Sequence, residues 1–384
     1  MFPIIKSEWD FALWAMLFGM AAFAYWCEKF RWGRNISAVV IVISLSIILT
    51  NLKIIPSTAD VYDGAWDFLV PIVIPLLLFR ANLKKVAKES GATLIAFLLG
   101  AIGVVLGTWV GISVLDLGNN ESELAGIFTA TYIGGGVNFA ATVKATNFQQ
   151  GDILAASVAA DNVATNIYVV LLIMLPAVTW IHRCFKTEQI DNAFVLEGGH
   201  EESADDHNSG KINLFGLCLA LTTAFTIAAL GEGAAYLTDS ETYSILYISF
   251  FTLLVSTLMP NLVKKFSGDE FAGQIAILLF LGALAASADI WVMLENAPIL
   301  FVFAWIIIGV HLIFIFVAGW IFKLDLGEVI IGSIACIGGP TVAGPLARAK
   351  GWNSLALPGI LVGTLGYAIG TFIGFGFFEF LSRG

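Results

Sequence analysis

The amino-acid sequence predicts an all-α polytopic membrane protein built from two related halves. Its composition, the length of its apolar segments and a pair of matched glycine-rich interruptions lead to this fold class. Of the 384 residues, 58% are hydrophobic and 12% are charged, whereas soluble domains average about 45–50% apolar and about 25% charged residues. The composition therefore excludes a soluble domain.

Apolar segments of nearly bilayer-spanning length occupy most of the chain. A helix needs about 20 apolar residues to cross a bilayer, whereas a membrane β-barrel would show alternating segments of about 10 residues. Stretches such as ILFVFAWIIIGVHLIFIFVAGWIF therefore indicate helices. We predict twelve membrane segments, at residues 11–26, 36–52, 66–79, 92–115, 124–144, 153–181, 212–230, 243–259, 272–286, 298–322, 329–347 and 355–380.

A long hydrophilic stretch divides these segments into two sets. Residues 187–211 read TEQIDNAFVLEGGHEESADDHNSGK, and an acidic composition with few aromatic residues is typical of a flexible linker. We therefore predict a first half at residues 1–183 with about six membrane helices. An acidic flexible linker follows at 184–211, and a second half with about six more helices occupies 212–384.

The charged loops predict the orientation in the membrane. The loops EKFRWGR (28–34) and RANLKKVAK (80–88) are basic, whereas DLGNNESE (116–123) is acidic. Cytoplasmic loops of membrane proteins are enriched in Lys and Arg. We therefore expect residues 80–88 in the cytoplasm and the N-terminus outside.

The two interruptions occupy equivalent positions in the two halves. The first half reads TATYIGGGVNFAATVKAT at 129–146, and the second reads VIIGSIACIGGPTVAGPLARA at 329–349. At one fixed offset, the Ile-Gly-Gly of 133–135 falls on 337–339 and Lys144 falls on Arg348. The following helix also begins at the same distance. Such internal similarity is typical of duplicated transporters.

The glycine and proline residues of the two interruptions break the helices in which they lie. They weaken a helix by about 1 and about 3 kcal/mol per residue, and backbone groups freed in hydrocarbon must be satisfied by protein or water. We therefore predict two discontinuous helices lining a cavity, where half-helix ends can bind ions; close packing through small residues is the alternative. The candidate binding residues are Gly134, Gly135, Gly136, Asn138, Gly338, Gly339, Pro340 and Thr341.

The helix after the first interruption carries a polar face. Asp161 and Thr165 are four residues apart, as are Asn162 and Asn166, so each pair lies on one side of the helix. Because a carboxylate at membrane depth marks an ion or proton site by default, we predict Asp161 as a Na+ or H+ site; a packing role is the alternative. His311 is either a neutral core histidine or a charge partner of this site.

Three blocks of the chain resemble a known family. TYIGGGVNFAATVKA, AADNVATNIYVVLL and IGGPTVAGPLARAKGWNSLALPGILVGTLGYAIGTF resemble the YjcL-like bacterial membrane proteins of unknown function, which are grouped with the cation:proton antiporter and anion transporter superfamily. The resemblance covers nearly the whole chain. It implies a multi-pass protein of the bacterial cytoplasmic (inner) membrane with an inverted-repeat transporter fold. That fold has a core domain with two crossed discontinuous helices, a panel domain that forms a homodimer, and elevator-type transport.

Two features do not match that family fold. The Asp161-Asn162 pair stands where electroneutral antiporters of the superfamily have Asn-Asp. In addition, twelve segments place the interruptions six helices apart, which would make the halves parallel, whereas inversion requires an odd separation. We therefore expect one wrongly assigned segment, within residues 212–286.

The expected function is secondary active transport. We expect a Na+- or H+-coupled carrier of a small organic, anionic solute; a cation/proton antiporter using Asp161 and a non-transporting membrane receptor are the alternatives. The sequence contains no HExxH, GxSxG or Walker motif, so we do not expect an enzyme. We expect no cofactor apart from Na+ as coupling ion. The expected partners are the solute, the lipid bilayer and a second copy of the chain, and not nucleic acid.

Overall fold

The computed structural model describes residues 3–30, 38–190, 212–239, 243–288 and 290–383. Among these residues, eight helices are long and apolar enough to cross a membrane, which confirms an all-helical polytopic membrane protein. Most of the predicted linker, residues 191–211, lies outside the described residues.

The helices of the first half are α1 (Asp10–Cys27), α2 (Ala38–Asn51), α3, α4 (Gly91–Val114), α5 (Glu121–Gly134), α6 (Gly136–Ala145) and α7 (Gly151–Met174). The helix α3 consists of Asp60–Gly64, a π-helical turn at Ala65–Leu69, and Val70–Leu78. The second half contains α8 (Leu214–Leu237), α9 (Ser244–Leu258), α10 (Asp269–Ala286), α11 (Ile290–Ile321), α12 (Leu326–Ile337), α13 (Pro340–Ala349) and α14 (Asn353–Ser382).

The helices pack in two groups. A core group contains α4 to α7 and α11 to α14, and a panel group contains α1, α2, α3, α8, α9 and α10; packing is dense within each group and sparser between them. Small residues bring the core helices close together. A Cβ built on Gly103 of α4, for example, would lie 3.1 Å from the Cα of His311 in α11.

The antiparallel packing of α3 and α10 defines two faces of the molecule. Arg80, just after α3, pairs with Asp269 at the start of α10 at 2.9 Å, while Trp66 early in α3 packs on Phe280 late in α10. The face at the start of α3 we call the acidic face, because it includes Asp60, Asp116 and Glu121. The opposite face, with Arg80, Lys265 and Arg348, we call the basic face.

The helices α5 and α6 form a first hairpin that enters from the acidic face. The side chains of Asn120, before α5, and Gln150, after α6, hydrogen bond to each other at 2.9 and 3.3 Å. The start of α5 and the end of α6 are therefore on the same face. The α5–α6 junction at Gly135 lies deep in the core group, beside Tyr367 in the middle of α14.

The helices α12 and α13 form a second hairpin that enters from the basic face. Gln189 donates its N–H to Asp325 before α12 at 3.2 Å, and its side chain accepts from Ser354 at the start of α14 at 2.6 Å. Because α14 follows α13 directly, both ends of the hairpin are on this face. Asp325 also caps α12 in a capping box with Glu328; burial raises the pKa of Asp325, and hydrogen bonds from backbone N–H groups oppose this.

The hairpins change the predicted topology. The interruptions lie where the sequence predicts them, but the two half-helices at each interruption fold back into a hairpin and do not continue each other across the membrane. The expected misassignment within residues 212–286 is wrong, since α8, α9 and α10 all form there. The parity conflict came instead from counting each hairpin as a crossing.

Close packing at the first hairpin can be tested by adding one methyl group. A Cβ on Gly366 of α14 would collide with the carbonyl oxygen of Ile133, and such overpacking costs about 1–3 kcal/mol. We expect Gly366→Ala to lower the apparent melting temperature of the purified protein. Gly376→Ala in the same helix is the control, because its Cβ would meet no atom within 4 Å. Equal stability of both variants would contradict the packing described.

The fold-back of the hairpins can be tested by labelling single cysteines from either side of the membrane. The background carries Ser at Cys184 and Cys218, which are the native cysteines with exposed surface. We expect Asn119→Cys and Gln149→Cys, at the two ends of the first hairpin, to react from one side.

At the two ends of the second hairpin, Lys323→Cys and Lys350→Cys should react from the other side. All four positions are exposed, and the reagent is a membrane-impermeant maleimide applied to vesicles of both orientations. If positions 119 and 149 react from opposite sides, the α5–α6 segment crosses the membrane and the hairpin is disproved.

Candidate functional site

The tips of the two hairpins meet in the middle of the core group. A Cβ built on Gly339 would lie 3.9 Å from the carbonyl oxygen of Gly134. The same Cβ would lie 3.4 Å from the Cε1 atom of Tyr367, and a Cβ on Gly135 would lie 3.8 Å from that atom. One aromatic ring of α14 therefore touches both tips.

Each tip reverses the chain at a glycine that no other residue could replace without strain. Gly135 has φ 78° and ψ −168°, and Gly339 has φ 74° and ψ −175°. This region of backbone conformation is essentially restricted to glycine. The two glycines are equivalent in the offset found in the sequence, so the duplicated pattern has a conformational cause.

Two helix N-termini point into the region between the tips. The helix α6 begins at Gly136 and α13 begins at Pro340, and the first N–H groups of a helix carry a partial positive charge. Gly136 and Thr341 lie at the tips, far from the ends at which the hairpins enter, and both have exposed surface. The Tyr367 hydroxyl faces the side chain of Thr341. The arrangement can hold an anionic group between the tips.

Asp161 of α7 lies beside the first hairpin. Its carboxylate accepts a hydrogen bond from Thr165 at 3.1 Å and faces the hydroxyl of Tyr132 in α5. The Tyr132 side chain is completely buried, yet its hydroxyl has no hydrogen-bond partner of good geometry among the described residues. The backbone oxygen of Tyr132 in turn accepts from the thiol of Cys336 in α12 at 3.2 Å. Asp161 is thus connected to both hairpins.

The three predicted asparagines differ in their surroundings. Asn138 is buried, donates to the Gly366 carbonyl at 2.8 Å and accepts from Thr371 at 3.2 Å; it fastens the first hairpin to α14. Asn162 donates to the Val158 carbonyl of its own helix at 2.8 Å. Asn166 is exposed one turn further along. Asn162 directly follows Asp161 in the sequence, and the oxygen of its side-chain amide is a hydrogen-bond acceptor.

His311 lies behind the second hairpin in a chain of hydrogen bonds. Its Nδ1 is 2.8 Å from the Gly100 carbonyl oxygen, which can only accept, so Nδ1 donates. In a neutral imidazole Nε2 then accepts from the Ser333 hydroxyl at 2.8 Å, and Ser333 accepts from Tyr168 at 2.7 Å. His311 is completely buried. The geometry favours the neutral core histidine over a charge partner of Asp161.

The site contains two tyrosines that the sequence analysis does not single out. Tyr132 directly precedes the Ile-Gly-Gly motif, and Tyr367 lies in the glycine-rich middle of α14. Thirty Phe and eight Tyr residues are spread along the chain, so aromatic identity alone carries little signal. A usable signal for Tyr132 is its place directly before the first interruption.

The two hairpins are covered unequally by the panel group. The helix α6 packs against α3 and α9, whereas α13 packs chiefly on its own hairpin partner and on α14. Along α13 the exposed residues Thr341, Pro345 and Arg348 follow one side of the helix from tip to end. The region between the tips is therefore covered towards the acidic face and open towards the basic face.

Comparison with known proteins gives the family. Residues 15–383 match the model of a family described as protein of unknown function (DUF819). The chain is also 32% identical over 388 residues, with 97% of both chains covered, to the uncharacterized membrane protein YjcL of Bacillus subtilis strain 168. The family resemblance of the three sequence blocks is confirmed. The chain therefore belongs to the DUF819 family of membrane proteins.

Proposed function

We propose that this protein is a secondary active transporter that carries a small organic, anionic solute through the cytoplasmic membrane of a bacterium. The meeting of two hairpin tips beside Asp161 is the observation that carries the proposal. It combines helix N-termini, which attract an anion, with a carboxylate, which attracts a cation. Na+ or H+ bound at Asp161 couples its own gradient to the solute.

The residues around Asp161 suit a monovalent cation. The carboxylate, the Thr165 hydroxyl and the Tyr132 hydroxyl supply oxygen atoms on two helices. The Tyr132 hydroxyl faces the Asp161 carboxylate, so its oxygen lies where it can join that carboxylate in binding a cation. Binding of the cation there would hold α5 next to α7, one turn before the first tip.

The opposite entry of the two hairpins supports an inverted-repeat transporter. In the part of the chain that the structure describes, each half has five helices that run between the faces and one hairpin. An odd number of crossings turns the second half over relative to the first. The basic face is then cytoplasmic. Because the panel group covers the first hairpin more than the second, the region between the tips is open towards the basic face, which corresponds to a state open to the cytoplasm. Movement of the core group along the panel group, in an elevator manner, would open the other side, with a homodimer formed through the panel.

A cation/proton antiporter is the second candidate. Asp161 is favoured as its exchanging group because it is a carboxylate at membrane depth that lies beside the first hairpin, and such a group marks an ion or proton site by default. The two functions differ in what moves. A symporter needs the solute, whereas an antiporter exchanges protons for another cation without it.

Uptake into proteoliposomes tests the proposal and separates these functions. We expect a labelled anionic metabolite from a panel to accumulate when an inward Na+ or H+ gradient is imposed, and not without a gradient. Empty liposomes and liposomes with the Asp161→Asn variant are the controls. Sodium-driven proton movement with no solute present would instead support the antiporter, and no flux of any kind would refute transport.

Removal of the Asp161 charge should abolish coupling and preserve folding. Asp161→Asn keeps a hydrogen-bond acceptor for Thr165 at 3.1 Å but removes the charge that holds the cation, so we expect uptake to lose its gradient dependence and fall at least tenfold. Asp152→Asn, at the start of the same helix, is the matched control and should transport normally. Wild-type cation dependence in the Asp161 variant would make this carboxylate structural.

A further inference from the structure

A cavity lies apart from the hairpin tips, at the acidic face. Its volume is about 290 Å³, and it lies between the first half of α3, the end of α10 and the loop after α6. Its walls include two carboxylates, Asp63 and Asp67, and the aromatic rings of Tyr62, Trp66 and Phe280. A cavity that combines aromatic faces with carboxylates suits an organic cation.

An ammonium group of the protein already lies at the edge of this cavity. The Nζ atom of Lys144, near the end of α6, is 2.6 Å from the Asp67 carboxylate. The same atom is 5.2 Å from the centre of the Trp66 ring, within the range of a cation–π interaction. Trp66 in turn packs on Phe280 with ring centres 5.5 Å apart. The carboxylate and the indole therefore bind a primary ammonium in this structure.

The backbone around these residues is unusual. Trp66 and Asp67 belong to the π-helical turn Ala65–Leu69 within α3, and such single turns occur often at functional sites. The turn lies in the panel group, whereas Lys144 belongs to the first hairpin of the core group. The ion pair thus joins the two groups at the acidic face.

The equivalent residue of the second hairpin forms no ion pair with any residue that the structure describes. Arg348 occupies the position in α13 that Lys144 occupies in α6, and it is exposed. Among the described residues, the ion pairs of the structure do not include Arg348. The first hairpin, which the panel group covers, is therefore the one whose basic residue, Lys144, contacts a carboxylate and an indole.

We propose that the acidic-face cavity is a binding site for small organic ammonium compounds, which compete with Lys144 for Asp67 and Trp66. Asp63, exposed on the same wall, adds negative charge. A bound ammonium compound would displace Lys144 and break the ion pair between the first hairpin and α3. Binding in this cavity would then loosen the cover of the first hairpin.

Binding of n-butylammonium chloride to the purified full-length protein tests the site. The compound resembles the lysine side chain, and titration calorimetry measures its dissociation constant; 1-butanol is the uncharged control and should not bind. We expect Lys144→Ala to bind n-butylammonium at least tenfold more tightly than the wild type, because a tethered competitor acts at an effective concentration of about mM or above. Lys84→Ala, exposed on the basic face, should match the wild type.

Two further variants make the outcome decisive. Asp67→Asn and Trp66→Leu should each lose saturable binding of n-butylammonium, both alone and in the Lys144→Ala background. Their elution volume in gel filtration and their melting temperature show that these variants fold. The proposal is overturned if the wild type shows no saturable binding, if Lys144→Ala does not increase affinity, or if binding persists in Asp67→Asn. The measurement needs no transport, so its failure would leave the proposed transport function untouched.

Discussion

The fold depends on how the backbone is satisfied where two helices stop inside the membrane. Hydrocarbon cannot hydrogen bond to freed N–H and C=O groups, so both stops must be enclosed by protein. Gly135 and Gly339 reverse the chain with positive φ, and each reversal returns its hairpin to the face where it entered. The glycines of α14 allow this: a Cβ on Gly363 would lie 2.6 Å from the Cα of Pro340, and one on Gly370 would collide with Asn138.

The two tips lie within one group of helices, and the helices that cover them belong to the other group. The core group holds both tips, Asp161 and Tyr367, while the panel group covers the first hairpin more than the second. Polar groups near the tips separate into those fully used in packing, such as Asn138, and those with capacity left, such as Tyr132. Residues of the second kind are the candidates for ligand contacts in the proposed transport, because a buried group that is already paired gains nothing from a new partner.

Much of the fold could be predicted from the sequence, because composition, segment length and the glycine offset are local properties. The positions of both interruptions and of α8, α9 and α10 were predictable for this reason. The fold-back of the hairpins was not, since the direction of a half-helix depends on distant contacts such as that between Asn120 and Gln150. Tyr132 and Tyr367 became site residues only through packing of separate helices around them.

The hydrogen-bonded chain from Tyr168 through Ser333 to His311 ends at the Gly100 carbonyl oxygen. A peptide carbonyl accepts a hydrogen bond but is far too weak a base to keep a proton. A proton entering this chain therefore has no exit at its far end. In the proposed ion-coupled transport, this chain would therefore not carry protons across the membrane, and the gradient would be spent only where solute is moved.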